Sequence, residues 1–468
     1  MKRVLLLLFA LMLAAPCAPA VRAETASKKI TNKCKFRVSE GSAKLLHDGK
    51  LKTEWTYSGK GAQVEIAIPP SVTVGGMLVC WTFEPEDYEI IEYDAENAEI
   101  ALHDSSETFP CITAYQALQP ETKYVRIKCR TAGQGIAEIR VYSEGTPQSN
   151  LQTWEAPVEK ADFMLVSTHQ DDEELFFGGA IPYYAVAQKC PTVVVYMANC
   201  TRMRRQEALN GLWAMGVRNY PEFINLADKS VPSISEGISY WGGEEKILGE
   251  LVQRIRRYKP EVIATHDFNG EYGHNQHKIT ARMMPKAIEK AADGAQYPES
   301  AAQFGAWQVK KLYIHLYKEN AIRMDWDTPL EALGGKTALE VAKIGFAEHK
   351  SQQKYYSMDK AGVKYDNRAF GLYASTVGAD VKKNDFFENL SAAKAPKAAE
   401  PTAEPTNTPE PTEAPEAEPK ETPPLAEASE ESGGNSLLPF ALLGGAVLTG
   451  GAAFAALRGR RKRRRRRR

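Results

Sequence analysis

The chain has 468 residues, of which 43% are hydrophobic and 9% aromatic, enough for two or three ordinary domains with real cores. Its formal net charge of zero hides an asymmetry. Ten of the 59 Lys and Arg sit in the closing "RGRRKRRRRRR" and three more in the first 23 residues, which leaves 46 bases against 59 acids between them. That acidic body argues against nucleic acid as the partner.

Taken in order, residues 1–23 read as a secretory signal: "MKR" is charged, "VLLLLFALMLAA" is apolar and "VRA" ends in a small-residue cleavage pattern. Residues 30–147 read as all-β. Short alternating runs ("AQVEIAIP", "YEIIEYD", "YVRIKC", "AEIRVYSEG") are separated by Gly, Pro and Asn clusters, so a β-sandwich is expected. Within it, "LLHDGKLKTEW" and the closing "IAEIRVYSEG" resemble the first and last segments of discoidin-like, galactose-binding-like modules. The resemblance implies glycan binding through loops at one end of the sandwich, beside a structural Ca2+. Trp55 itself reads as core rather than as a sugar platform.

Residues 158–390 change rhythm. Strand candidates "DFMLVST", "TVVVYMA", "EFINL", "EVIATHD" and "KKLYIHLY" alternate with helical periods, among them "RMRRQEALNGLWAMG", "EEKILGELVQRIRRYK" and "QHKITARMMPKAIEKAA". This predicts an α/β, Rossmann-like, mostly parallel sheet with helices on both faces. Residues 391–436 form a Pro/Glu/Thr-rich stretch that cannot bury a core and reads as an extended, disordered stalk. Residues 437–457, "LLPFALLGGAVLTGGAAFAAL", carry no charge and are long enough to span a bilayer as one helix. The basic residues 458–468 would then lie on the cytoplasmic side. These features predict a secreted protein held on the outer face of the cell membrane, of Gram-positive type, although no "L-P-x-T-G" signal precedes the last helix. The six cysteines after the signal (Cys34, Cys80, Cys111, Cys129, Cys190 and Cys200) then read as disulfides, with Cys190 and Cys200 the simplest pair.

Two clusters carry chemistry, and both fall after predicted strands, where open α/β sheets bind ligands. The first is "STHQDDEEL", residues 167–175, and the second is "HDFNGEYGHNQH", residues 266–277. His169 lies within three residues of both Asp171 and Asp172. Side-chain alternation sends the two acids different ways, so only one readily joins His169 on an ion. His274 and His277 are three apart, on one face if the segment opens a helix. Two histidines and one aspartate, with the fourth position left to water, are the pattern of catalytic rather than structural zinc. The leftover Asp and His would serve as base and as acid or oxyanion partner.

"THQDDEELFFGG" and "EYGHNQH" resemble the A-H-P-D-D-E and Y-G-H-P-D-H signatures of the PIG-L/LmbE zinc-dependent de-N-acetylases. "RRQEALNGLWAMGV" and "FAEHKSQQ" fit two further elements of that family, in family order. The resemblance implies that His169, Asp172 and His277 bind Zn2+ or another divalent ion. It makes Asp171 the general base, His274 the partner of the tetrahedral intermediate, and Tyr272 a group that polarises the carbonyl. Arg204 and Glu207 are candidate substrate contacts, with a structural ion pair as the alternative. Gln276 stands where the family has Asp, which bears on the charge state of His274. Glu173 and Glu174 read as helix-start acids. The function expected is removal of an N-acetyl group from an N-acetylglucosamine-type sugar at the cell surface. The alternatives are an inactive glycan-binding protein and a zinc amidase acting on peptides.

Overall fold

The computed structural model describes residues 26–358 and 364–390. The segments read as signal, stalk, membrane span and basic tail lie outside these described residues. Among the described residues no helix is long and apolar enough to cross a membrane.

Residues 35–143 form a sandwich of two antiparallel sheets. One is ordered β1 (Lys35–Val38), β3 (Ala62–Ala67), β8 (Tyr124–Cys129), β5 (Tyr88–Tyr93), β6 (Glu99–Asp104). The other is ordered β2 (Trp55–Thr56), β9 (Gly135–Ser143), β4 (Val74–Trp81), β7 (Thr113–Ala117). In β3 every second residue is buried, which is why its alternation was visible in the sequence. Strand β4 is buried along nearly its whole length, because Leu78 and Cys80 on its outer side pack against Leu151 of the connection beyond. A strand covered on both faces does not alternate, so β4 escapes a period-two reading. Trp55 is core as expected: it is 1% exposed, and its indole N–H donates to Glu40 O at 2.7 Å.

The α/β part is built on one seven-stranded sheet. Its order is β12 (Glu222–Ala227), β11 (Thr192–Asn199), β10 (Phe163–Ser167), β13 (Val262–Thr265), β14 (Lys311–His315), β18 (Ala369–Ser375), β15 (Ala321–Arg323). The first five strands run parallel and the last two join antiparallel. A small hairpin, β16 (Pro329–Leu330) with β17 (Lys336–Thr337), lies outside this sheet. The helices are α1 (Asp172–Leu175), α2 (Arg202–Met215), α3 (Ile234–Tyr240), α4 (Glu244–Tyr258), α5 (Asn275–Ala292), α6 (Pro298–Phe304) and α7 (Ala338–Phe346). Two apolar cores flank the sheet: Leu165, Phe176, Tyr196, Leu209 and Phe346 on one face, and Met164, Val195, Leu251, Ile263 and Met284 on the other. The chain order reverses between β10 and β13, so the carboxyl ends of these two strands frame the crevice where such sheets bind ligands.

The sandwich is docked firmly on α2. Arg205, 1% exposed, places Nη1 3.1 Å from both oxygens of Glu84 and Nη2 3.0 Å from Thr82 O. Arg202 donates to Trp81 O at 2.7 Å, and Thr113 donates to Gln206 at 2.6 Å.

The expected disulfides are absent, and all six cysteines among the described residues are free thiols. Cys190 precedes β11 and Cys200 follows it. That eight-residue extended strand holds its ends roughly 26 Å apart, against the ~4–7 Å between Cα atoms that a disulfide needs. Burial pushes the Cys111 and Cys190 thiols upward, the latter to about 12, so both stay protonated.

Candidate metal centre and active site

His169 leaves β10 through a turn in which every residue from Ser167 to Glu174 is buried. Asp171 adopts φ 125°, a strained conformation for a side chain with a Cβ. Three contacts hold it there. Glu173 accepts the Asp171 N–H at 2.8 Å, Arg204 Nη2 lies 2.7 Å from Asp171 Oδ1, and the same guanidinium donates to Gln170 O. The two carboxylates have different partners: Asp171 pairs with Arg204, and Asp172 meets His169 and His277. Gly178, at φ 53°, follows: a Cβ there would stand 2.8 Å from Asn367, so only glycine closes the turn onto the next layer.

Asp172 Oδ2 accepts the His169 backbone N–H at 2.8 Å, and the same oxygen lies 3.1 Å from His169 Nδ1 and 3.2 Å from His277 Nε2. The two ring nitrogens are themselves 3.1 Å apart. Three donor atoms thus form a nearly equilateral triangle. Ligands ~2.0–2.1 Å from a tetrahedral ion stand ~3.3 Å apart, so the triangle has the size of one face of such a site. The tautomers agree with this. Glu271 Oε2 accepts the His277 Nδ1–H at 2.8 Å, so Nε2 is the nitrogen that faces Asp172 and would hold an ion on giving up its own proton. With a carboxylate oxygen and imidazole nitrogens converging, the residues fit a divalent cation. Electrostatics point the same way. Burial opposes charge on His277, yet Asp172 and Glu271 outweigh it and carry the ring to about 10. The burial cost of ionising Asp172 is likewise outweighed by His277 and His169, which hold its carboxyl well below the usual range.

Asp171 stays off the triangle. Burial lifts its carboxyl to about 6 against the pull of Arg204. His274 caps α5 with its ring 4.8 Å from His169 and 4.7 Å from His277. Burial and the two neighbouring imidazoles push it down to about 3, so it is neutral. Tyr272, at φ 46° and 43% exposed, stands 5.5 Å from His274 and 5.4 Å from His277 by ring centroids, on the open side of the cluster.

Glu207 takes no place in the site: its two oxygens accept the Ser351 N–H at 2.9 Å and the Ser351 hydroxyl at 2.6 Å, tying α2 to the "HKSQ" segment. Arg204 follows the alternative given for it, a structural ion pair: it is held by Asp171 and the strained turn. Glu173 and Glu174 do lie in the first turn of α1 as expected, but both are fully buried, driven well above the usual carboxylate range by burial and then by neighbouring acids. They face His349, whose Nε2 lies 3.7 Å from Glu173 and 3.4 Å from Glu174. Gln276 turns away from His274 and meets His169 Nε2 at 3.0 Å.

The residue whose place was missed is Glu271. This fully buried carboxylate accepts from His266 at 2.8 Å, His277 at 2.8 Å and His315 at 2.6 Å, and from the Asp267 N–H at 3.2 Å. Its ionised form is favoured over the burial cost by His266 first. His266 is not a ligand, because its Nε2 already accepts the Thr168 N–H at 2.9 Å. A signal was available: His266 and His315 close or follow neighbouring parallel strands, β13 and β14, at the ligand-binding edge.

Residues 164–288 match the PIG-L family, described as GlcNAc-PI de-N-acetylase. A mycothiol S-conjugate amidase of Streptomyces coelicolor is 35% identical over 124 residues, 25% of this chain and 41% of the relative. A 1D-myo-inositol 2-acetamido-2-deoxy-alpha-D-glucopyranoside deacetylase of Catenulispora acidiphila is 26% identical over 195 residues, 36% of this chain and 59% of the relative. The chain therefore spans about half the length of the curated relatives it matches. On the amino-terminal side, the solved structure of the module CpGH89CBM32-6 of Clostridium perfringens aligns at 16% identity, covering 25% of this chain and 97% of that one, with a TM-score of 0.23. The family match covers β10, β13 and both histidine clusters, so this stretch of the α/β part is similar to the PIG-L family.

Proposed function

We propose that this chain is a zinc-dependent hydrolase that removes the acetyl group from an N-acetylglucosamine-type sugar. The observation that carries the reading is the His169–Asp172–His277 triangle with Asp171 buried beside it, outside the triangle. A divalent ion held by those three residues would supply a Lewis acid that polarises the amide carbonyl and acidifies water. The rest falls to the chain's own groups. Asp171, fixed by Arg204 and the strained turn, takes the proton of the water that attacks the carbonyl carbon. Neutral His274 and the Tyr272 hydroxyl donate to the developing oxyanion. Asp171 returns the proton to the leaving nitrogen, and acetate and the free amine depart. The sandwich supports the reading as a glycan-positioning module, and the composition of residues 1–23 and 437–468 supports a substrate at the cell surface.

The experiment is acetate release by the purified, zinc-loaded chain from N-acetylglucosamine oligosaccharides. Wild type releases acetate, and Asp171→Asn does not while retaining zinc. Absence of release from a broad N-acetyl sugar panel, with zinc bound, would refute the reading. The Streptomyces amidase among the relatives favours a second one, hydrolysis of an amide in an S-conjugate rather than of an acetamide. It would show as amine release from N-acyl conjugates without acetate.

A further inference from the structure

We infer that Gln276 is a positioning residue that selects which nitrogen of His169 faces the cation. Resting on the metal site proposed above, this goes beyond it by assigning a role to the residue at which the chain departs from the PIG-L family's pattern. Gln276 is fully buried in the first turn of α5. Its Oε1 lies 3.0 Å from His169 Nε2, and its Nε2 donates to Ala227 O, at the end of β12, at 3.3 Å. The second contact orients the first. Ala227 O can only accept, so the amide NH2 must face it and Oε1 must face His169. An oxygen acceptor at 3.0 Å draws the ring proton onto Nε2 and leaves the Nδ1 lone pair in the triangle.

The other histidine obtains the same result differently. His277 donates its Nδ1–H to the Glu271 carboxylate. One ligand is therefore backed by a charged acceptor and the other by a neutral one. A carboxylate at position 276 could accept from His169 but would set an anion against Ala227 O, whereas the amide satisfies both neighbours. Asp228 stands behind as a weaker alternative, with Oδ1 3.6 Å from His169 Nε2 and its side chain 34% exposed.

Outer-shell partners of this kind change metal affinity by about 10–100-fold. The test is zinc affinity of the full chain by competition with a chelator at fixed pH, for wild type, Gln276→Leu and Gln276→Glu. Nitrogen-15 NMR of the zinc-loaded proteins is read alongside. Gln276→Leu is nearly isosteric and removes the acceptor: affinity should fall about 10–100-fold, and the His169 Nε2 proton should lose its protection from exchange. Gln276→Glu restores the acceptor and should return affinity to within ~3-fold of wild type, at some cost in melting temperature. A merely structural role would give a different order, with Gln276→Glu harmed as much as Gln276→Leu and affinity following stability. Unchanged affinity in Gln276→Leu, or a Gln276→Glu protein as weak as the Gln276→Leu one, would overturn the assignment. Neither readout needs turnover, so a wild type that shows these effects but releases no acetate refutes only the deacetylase reading.

Discussion

Glu271→Gln probes the support beneath the site. The wild-type carboxylate is fully buried and accepts from three imidazoles at 2.8, 2.8 and 2.6 Å. An amide keeps one acceptor oxygen and replaces the other with an NH2. At least one His N–H then meets a donor instead of an acceptor, and the charge assisting all three bonds disappears. Removing one partner of a buried charged network costs about 3–5 kcal/mol. For an α/β part of this size, each kcal/mol moves the melting temperature by roughly 2–4 °C, so a fall on the order of 10 °C is expected. Zinc affinity should fall as well, by about 10–100-fold, because His277 loses the group that keeps its proton on Nδ1. Differential scanning calorimetry on the metal-free protein and chelator competition measure the two effects separately. A melting temperature within ~2 °C of wild type would show that Glu271 does not bind the three rings together.

Asp171 should set the acid limb of turnover. Its carboxyl lies near 6 and must be ionised to act as base, so activity is present above that pH and falls about tenfold per unit below it; a flat rate from about pH 7 to about pH 4 would contradict the role. Arg205→Met removes a cation that is 1% exposed and binds Glu84 and Thr82, and should destabilise the chain by about 2–4 kcal/mol while exposing the connection near residue 150 to proteases. Limited proteolysis with a pattern identical to wild type would refute the firm docking of the sandwich. With every described cysteine a free thiol, a reductant should leave the melting temperature of the chain unchanged, and a drop of several degrees would reveal a disulfide.

The sequence made the site's inner groups legible because their chemistry is local. His169, Asp171 and Asp172 lie in one turn, and His274 and His277 in another, each after a strand whose apolar run marks it. What was hidden depends on tertiary contacts. Gln276 lies two residues from His274, so a linear reading pairs them, whereas the first turn of α5 points the amide across the crevice at His169. Glu207 looks like a pocket acid until Ser351, 144 positions later, occupies both of its oxygens. Glu271 draws His315 from a strand 44 residues on, a link no spacing pattern contains. The disulfide expectation rested on count and compartment, and failed because β11 holds Cys190 and Cys200 at opposite ends. In the sandwich, alternating strands such as β3 were readable, while β4, buried on both faces, was not.

Crystals of the chain grown with zinc, and an anomalous map recorded at the zinc edge, test the centre directly. The expected result is a peak about 2.0–2.2 Å from His169 Nδ1, Asp172 Oδ2 and His277 Nε2, with Asp171 outside bonding distance. A peak seated instead among Glu173, Glu174 and His349, or no peak at the triangle, would contradict it.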